Sequence, residues 1–275
     1  MQAELHDAYE KASDQLRSLA RSEIKIKILL NLNEGPKDLC QFRDLLDLTS
    51  SSINHIMRDM EAEGLIVIGS KEGYALTNVG KILTIVLSDL IKAMGVFSKD
   101  IEFWMVHDID GIPEPLLKRI GNLIDSVFVG GSKANVLKTH LNALKLLTEA
   151  KKLKCVVPIF YPDYPNLIEK LVNKKADVQI VVTDEVFNML FYGENHQLSK
   201  DILCKQNFRL WVIKEDIKEA FAVTDSAFAF GLFRDDGTYD VSTGLVSYTD
   251  EVLNWGKNLF GYYRKRAIII KSEDI

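Results

Sequence analysis

The chain has 275 residues, 47% of them hydrophobic and 27% charged, with a net charge of −5. That length accommodates one large or two ordinary domains and buries roughly 70 to 75% of the unfolded surface, which argues against disorder. Sixteen glycines and six prolines are too few for a collagen-like or low-complexity chain. No run approaches the roughly 20 apolar residues of a bilayer crossing, so no membrane partner is expected. The polar stretch Met1 to Glu10 lacks the basic-then-apolar order of a secretory signal, and a cytoplasmic protein is expected. Cys40, Cys155 and Cys204 form no C-x-x-C pair and have no histidine at metal-ligand spacing. They read as buried thiols, with no metal and no cofactor expected.

In chain order, Leu5, Ala8, Tyr9, Ala12, Leu16 and Leu19 first form a helical stripe. Ser22 caps a helix in which Ile24, Ile28 and Leu32 recur every four residues, and Gly35-Pro36 ends it. Asp38 and Gln41 make a capping box for a helix of barely two turns, with Leu39, Phe42, Leu45 and Leu46 on its apolar side. Only Asp47 and Leu48 precede Thr49, which caps a third helix from about Ser50 to Glu63, stopped by Gly64. Two helices joined so tightly are a helix-turn-helix. Leu65 to Gly69 and Tyr74 to Leu76 read as short strands around Ser70-Lys71-Glu72-Gly73, a wing. Thr77 then caps a helix with a wide stripe, from Val79, Ile82 and Leu83 through Val86, Leu87 and Leu90 to Ile91, ending near Gly95.

Within the third helix, Ile53, Ile56, Met57 and Met60 share one side, while Ser51, Asn54, His55 and Arg58 share the other. Asn can pair with adenine edges, Arg with guanine or phosphate, and serines with the backbone. The alternative is a face that simply meets water. Lys11 to Lys81 holds ten basic and ten acidic residues, so a strong cationic footprint is missing unless Lys25, Lys27, Lys37, Arg43, Arg58 and Lys71 collect on one face. Two copies on a two-fold site would offset modest affinity per protomer. The stripe from Val79 to Ile91 and that from Leu5 to Leu19 are expected to pack against a second copy, or else to cover the chain's own carboxy-terminal domain.

Lys92 to Asp125, broken by Gly95, Gly111, Pro113 and Pro115, also holds Phe97, Phe103, Trp104 and Met105, so it is expected to pack rather than to run free. The proposed division is 1–95, a helical connector 96–125, and 126–275. From Ser126 on, strand and helix alternate: Val127-Phe128-Val129, a helix from about Ala134 to Lys151, Cys155 to Ile159, a helix near Asn166 to Asn173, Val178 to Val182, and a helix through Leu190. Further strands are expected at Phe208 to Ile213, Ala220 to Thr224 and Phe228 to Phe233, with a closing helix from about Asp250 to Tyr263. The order indicates an α/β sandwich around a mixed sheet whose first strands are parallel. Ligands of such sheets collect beyond strand carboxyl ends, here at Gly131, Ser132 and Lys133, at Tyr161, Asp163 and Tyr164, at Thr183 and Asp184, and at Thr224 and Asp225. Gly130-Gly131-Ser132 suits a carboxylate or phosphate, and equally a turn and cap with no ligand.

Two resemblances follow from these residues. Ser22 to Gly80, including Met60-Glu61-Ala62-Glu63-Gly64-Leu65-Ile66 and Tyr74-Ala75-Leu76-Thr77-Asn78-Val79-Gly80, resembles winged-helix regulators of the ArsR and MarR type. Phe230 to Asp240 and Trp255 to Arg264, with His107-Asp108-Ile109 and Ile112-Pro113, resemble the archaeal methanogenesis-regulatory family over nearly the whole chain. The resemblance implies an α+β winged helix-turn-helix domain followed by an α/β effector domain. It also implies double-stranded DNA as partner through Lys37, Ser50, Ser51, Asn54, His55, Arg58 and Lys71, and a small effector, a carboxylated metabolite or an acylated signal. TrmB-type regulators have a related effector architecture resembling half of a phospholipase D domain. Phospholipase D chemistry needs an H-x-K triplet, and His107, His140 and His196 lack that lysine. No G-x-S-x-G surrounds Ser132 either, so no catalytic residue is assigned. The expected protein is a homodimeric, ligand-responsive transcriptional regulator; an enzyme fused to the module and a constitutive DNA-bound protein are the alternatives.

Overall fold

A computed structural model describes residues 2–69, 73–130, 147–193 and 198–274. The chain divides into two compact units, Met1–Ile91 and Lys92–Ile275. Among the described residues no helix is long and apolar enough to cross a membrane.

The first unit comprises α1 (Gln2–Ala20), α2 (Glu23–Leu32), α3 (Leu39–Leu46), α4 (Ser50–Ala62), the hairpin β1 (Ile66–Gly69) and β2 (Gly73–Leu76), and the start of α5 (Asn78–Lys99). Each boundary has a local cause. Ser22 accepts from the amide of Lys25, Thr49 from that of Ser52, and Asp38 and Gln41 satisfy each other's backbone at 2.9 and 2.8 Å. Asp47 ends α3 in the left-handed region, and Thr77 receives the amide of Gly80 at the start of α5. The core joins Ile28, Leu29 and Leu32 of α2, Phe42 of α3, Ile53, Met57 and Met60 of α4, and Leu65 and Ile66.

The second unit is a three-layer arrangement around one eight-stranded mixed sheet. Its strands are β3 (Val127–Gly130), β4 (Lys152–Val157), β5 (Asp177–Thr183), β6 (Phe208–Ile213), β7 (Glu219–Thr224), β8 (Phe228–Leu232), β9 (Thr243–Ser247) and β10 (Ile268–Ile270), in the order β10-β6-β5-β4-β7-β8-β9-β3. Only the β4-β5 and β5-β6 pairs are parallel. On one face α8 (Tyr164–Asn173) and α9 (Asp184–Tyr192) cover β4 to β6. On the other, α10 (Asp250–Arg266) packs Val252, Trp255 and Leu259 over Phe221, Phe228 and Phe230. The connector packs into this second layer through Val96, Phe103, Ile112, Leu116 and Leu123, with α6 (Ile101–Val106) and α7 (Glu114–Leu117) as its helices.

Several expectations are corrected. The first strand, β3, is not parallel but pairs antiparallel with β9 at the sheet edge; an apolar triplet signals a strand without naming its partner. The fourth strand starts at Lys152, because lysines alternate with buried residues there, and it stops before Pro158, which has no amide to donate. The helix expected over Ala134 to Lys151 lies mostly outside the described residues. β9 and β10 are additional strands. Cys155 is buried as expected, whereas Cys40 and Cys204 are exposed.

Glu219 is fully buried on β7, and Tyr263 links it to the connector. The Tyr263 hydroxyl lies 2.6 Å from Glu219 Oε1 and 3.0 Å from the carbonyl of Gly111. The Tyr263 hydroxyl has one proton for these two acceptors, Glu219 Oε1 and the Gly111 carbonyl, and Glu219 Oε2 is buried without a partner. Burial, opposed by the Tyr263 hydrogen bond, raises the Glu219 carboxyl to about 7. Asp108, which pairs with Lys218, adds repulsion, and Lys218 in turn binds Asp216. A folded-state value above the unfolded one gives stability that is complete below the unfolded value and lost as pH rises through the folded value. Denaturant titrations are therefore expected to show stability falling between about pH 4.5 and 7, by on the order of 3 kcal/mol from this residue. In Glu219→Gln that component of the slope disappears; an unchanged pH profile contradicts the assignment.

Candidate functional site

The polar face of α4 has its rotation set from the opposite side. Ile53, Met57 and Met60 have 0%, 1% and 0% exposure, which points Ser51, His55 and Arg58 to solvent and leaves Asn54 half-buried at the edge. Ser50, at the first helical position, is exposed too. Asn54 is held by the wing: its Oδ1 accepts from the Tyr74 hydroxyl at 3.2 Å, so its amino group is the end left to donate. The wing is itself anchored, since Lys37 and Tyr74 exchange backbone hydrogen bonds at 3.1 and 2.8 Å. Gly73 makes that approach possible; its φ is +80° and a Cβ there would sit 2.5 Å from the Lys37 carbonyl.

The cations sort differently from the expected collection. Lys25 is buried, pairing with Glu63 at 2.7 Å and with Ser18 at 2.8 Å, so it holds α1, α2 and the end of α4 together and is withdrawn from any surface. Lys27 pairs with Glu23 and Lys37 with Glu34, and the His55 Nδ1 lies 3.2 Å from Asp59 Oδ2. Arg43 lies 3.8 Å from Asp44. Among the described residues no ion pair engages Arg58, which stands exposed in the middle of the polar face. Lys71 lies outside the described residues. This distribution explains how a module with balanced charge keeps one cation on the α4 face.

The second unit holds a cavity of about 120 Å³ on the face of the sheet that carries α8 and α9. Tyr161 and Tyr164 line it, their rings 5.4 Å apart, and burial raises both phenols. Burial likewise pushes the Cys155 thiol up to about 12, leaving it an inert wall group. The remaining expected effector residues do not gather there. Asp163 is exposed ahead of α8, Thr183 caps α9, and Asp184 is exposed beside it. Thr224 and Asp225 sit at the opposite end of the sheet, because β7 runs antiparallel to β4 and aligns Thr224 with Leu153. There Thr224 closes a turn onto Ala227, and Asp225 accepts from the amides of Lys151 and Lys152. Gly131, Ser132 and Lys133 lie outside the described residues.

Sequence reasoning missed Tyr239 and Asp240, which also line the cavity. Asp240 bridges the cavity wall to the connector. Its Oδ2 lies 2.9 Å from Arg234 and 3.2 Å from His107 Nε2, and Ser242 donates to Oδ1. Burial raises the Asp240 carboxyl, but the Ser242 and Arg234 hydrogen bonds outweigh it and hold the group below the usual range. His107 is packed rather than nucleophilic: its Nδ1 lies 2.6 Å from the Phe103 carbonyl on α6. Among the described residues no cluster of metal-ligating side chains occurs.

These features define an α+β chain in which a helix-turn-helix with a hairpin precedes a mixed-sheet unit containing a cavity. Residues 13–95 match the family described as methanogenesis regulatory protein FilR1, N-terminal domain, and residues 137–266 match its middle domain. The chain belongs to the methanogenesis regulatory protein FilR1 family. It is 32% identical over 264 residues to methanogenesis regulatory protein FilR1 of Methanothrix harundinacea, covering 95% of this chain and 59% of that relative. The chain thus spans about six-tenths of the length of the curated relative it matches. Among solved structures, TrmBL2, an archaeal chromatin protein, is 15% identical over 88% of this chain and 92% of its own, with a TM-score of 0.43. NucT from Helicobacter pylori is 12% identical over 53% of this chain and 98% of its own, with a TM-score of 0.39.

The contrast between the two cations is testable by chemical denaturation. Lys25→Met is expected to destabilise the first unit by about 2 kcal/mol, because Glu63 and Ser18 lose a buried partner. Arg58→Ala, at an exposed position, is expected to change stability by less than about 0.5 kcal/mol. The reverse order contradicts the assignment of Lys25 to the core and Arg58 to the free face.

Proposed function

We propose that the chain is a DNA-binding transcriptional regulator that acts in the cytoplasm as a homodimer, its second unit sensing a small molecule. The observation that carries this reading is the α4 face. A helix locked by Ile53, Met57 and Met60 presents Ser51, His55 and Arg58 outward, with Asn54 oriented by Tyr74 at the edge. In a major groove Asn54 donates to base edges, Arg58 takes a guanine or a phosphate, and Ser50 and Ser51 receive phosphate oxygens at the helix start. Lys37 and Lys71 are the proposed backbone contacts of the wing. Membership of a family whose curated relative is named a regulatory protein supports the same reading.

Dimerisation is supported by apolar surface that the first unit by itself leaves uncovered. Val79, Ile82, Val86 and Leu90 on α5 have 62%, 65%, 61% and 56% exposure, at spacings that form one stripe. Leu5, Tyr9 and Leu16 on α1 are exposed as well. The proposed sensing site is the cavity beside Tyr161 and Tyr164. Occupancy that shifts Tyr239 and Asp240 acts on His107 and so on α6 and the connector, biasing the dimer between two geometries of different operator affinity. The proposal assigns no bond-breaking step to the chain.

Selection of bound fragments from genomic DNA at about 0.15 M salt, where weak nonspecific association is suppressed, tests this reading. The wild type is expected to enrich a two-fold-symmetric site, and the Asn54→Ala, Arg58→Ala double variant to lose that enrichment by roughly tenfold or more. Equal enrichment by the two proteins contradicts it.

A further inference from the structure

The cavity exists because the two faces of one stretch of sheet carry side chains of very different size. Strand alternation sends Phe221, Phe228, Phe230 and Leu245 to the α10 side, where Trp255 fills the layer. The same strands send Ala220, Ala222, Ala229, Gly231 and Gly244 to the other side, with Ala220 opposite Gly231 and Ala222 opposite Ala229. A sheet buried on both faces is ordinarily filled to crystal-like density, and alanine and glycine on three neighbouring strands cannot fill it. Gly231 leaves room for Tyr239, since a Cβ there would lie 2.3 Å from the Tyr239 hydroxyl and the phenol would have to move off the floor.

The lining also constrains the occupant. Around this floor stand Cys155, Val157, Ile180 and Val182, with the rings of Tyr164 and Tyr239. Among the described lining residues the one charged group is Asp240, and its oxygens are already taken by Arg234, His107 and Ser242. Among the described lining residues no cation faces the cavity, so a ligand carboxylate would be desolvated there beside Asp240 without a compensating charge, which is strongly unfavourable. A cavity of about 120 Å³ is comparable to engineered apolar cavities that admit one benzene ring.

We infer that this site binds an uncharged, largely apolar molecule the size of a single six-membered ring, carrying at most one hydrogen-bonding group to meet a tyrosine hydroxyl. This names the ligand class for the sensing role proposed above, and rests on that reading only for its regulatory consequence. The carboxylated metabolite that the resemblance implies is the alternative that the benzoate titration below tests.

The test is a thermal-shift and calorimetric titration of the full chain, without DNA, using toluene, phenol and benzoate as probes. Toluene and phenol are expected to raise the thermal midpoint saturably, and benzoate to bind at least tenfold more weakly than phenol. Ala229→Leu, which fills the floor, is expected to abolish the shifts. Tyr239→Phe keeps the shape, and is expected to retain toluene while weakening phenol several-fold. Benzoate binding as tightly as phenol, absence of any shift with toluene and phenol, or unaltered shifts in Ala229→Leu would overturn the inference. A parallel measurement of operator retention separates the two readings. Phenol binding that leaves retention unchanged supports the ligand class and contradicts the sensing role, whereas intact DNA binding with no ring-probe binding contradicts the ligand class alone.

Discussion

Burial of three side chains on α4 is the constraint on which the functional account depends. Ile53, Met57 and Met60 recur at spacings of four and three, and with all three inside the core the helix has one rotational setting. That setting decides which residues face outward, and no property of Ser51, His55 or Arg58 enters the decision. The Tyr74 hydroxyl then fixes the Asn54 amide, and the Lys37 bridge fixes Tyr74, so the outward face of α4 and strand β2 are held together. The buried Lys25–Glu63 pair anchors the far end of the same helix. Its cationic charge serves the fold, which is why balanced composition misrepresents the surface.

The second unit solves a different packing problem with the same alternation rule. One face of β7, β8 and β9 is aromatic and closed by Trp255; the other is small and leaves space. The wall of that space is continuous, through Asp240 and His107, with the connector that leads from α5. Displacing this shared carboxylate would unsatisfy Arg234, His107 and Ser242 together.

What the sequence made legible follows the range of the interactions involved. Caps at Ser22, Asp38 and Thr49 are local, chosen within three or four residues, and all three form as read. Pairing is not local: nothing in Val127-Phe128-Val129 indicates that its partner is β9, more than a hundred residues on, and the strand order alone suggests a parallel set. A single strand direction would place Thr224 and Asp225 beside Tyr161, and antiparallel β7 puts them at the other end. The burial of Lys25 was hidden for a similar reason, since Ser18 and Glu63 belong to different helices. The cavity floor did leave a signal, the alternation of alanine and glycine with phenylalanine over Ala220 to Ala222 and Ala229 to Gly231, which a search for polar loop residues passes over.

The central claim, that the exposed face of α4 lies in a major groove, is tested most directly by attaching a DNA-cleaving iron chelate at Ser51→Cys in a chain carrying Cys40→Ser and Cys204→Ser. The account predicts cleavage confined to a few nucleotides on each strand across one major groove per half-site, repeated by the second copy about one helical turn away. Protein that retains the DNA yet cuts diffusely, or not at all, from this position would contradict it.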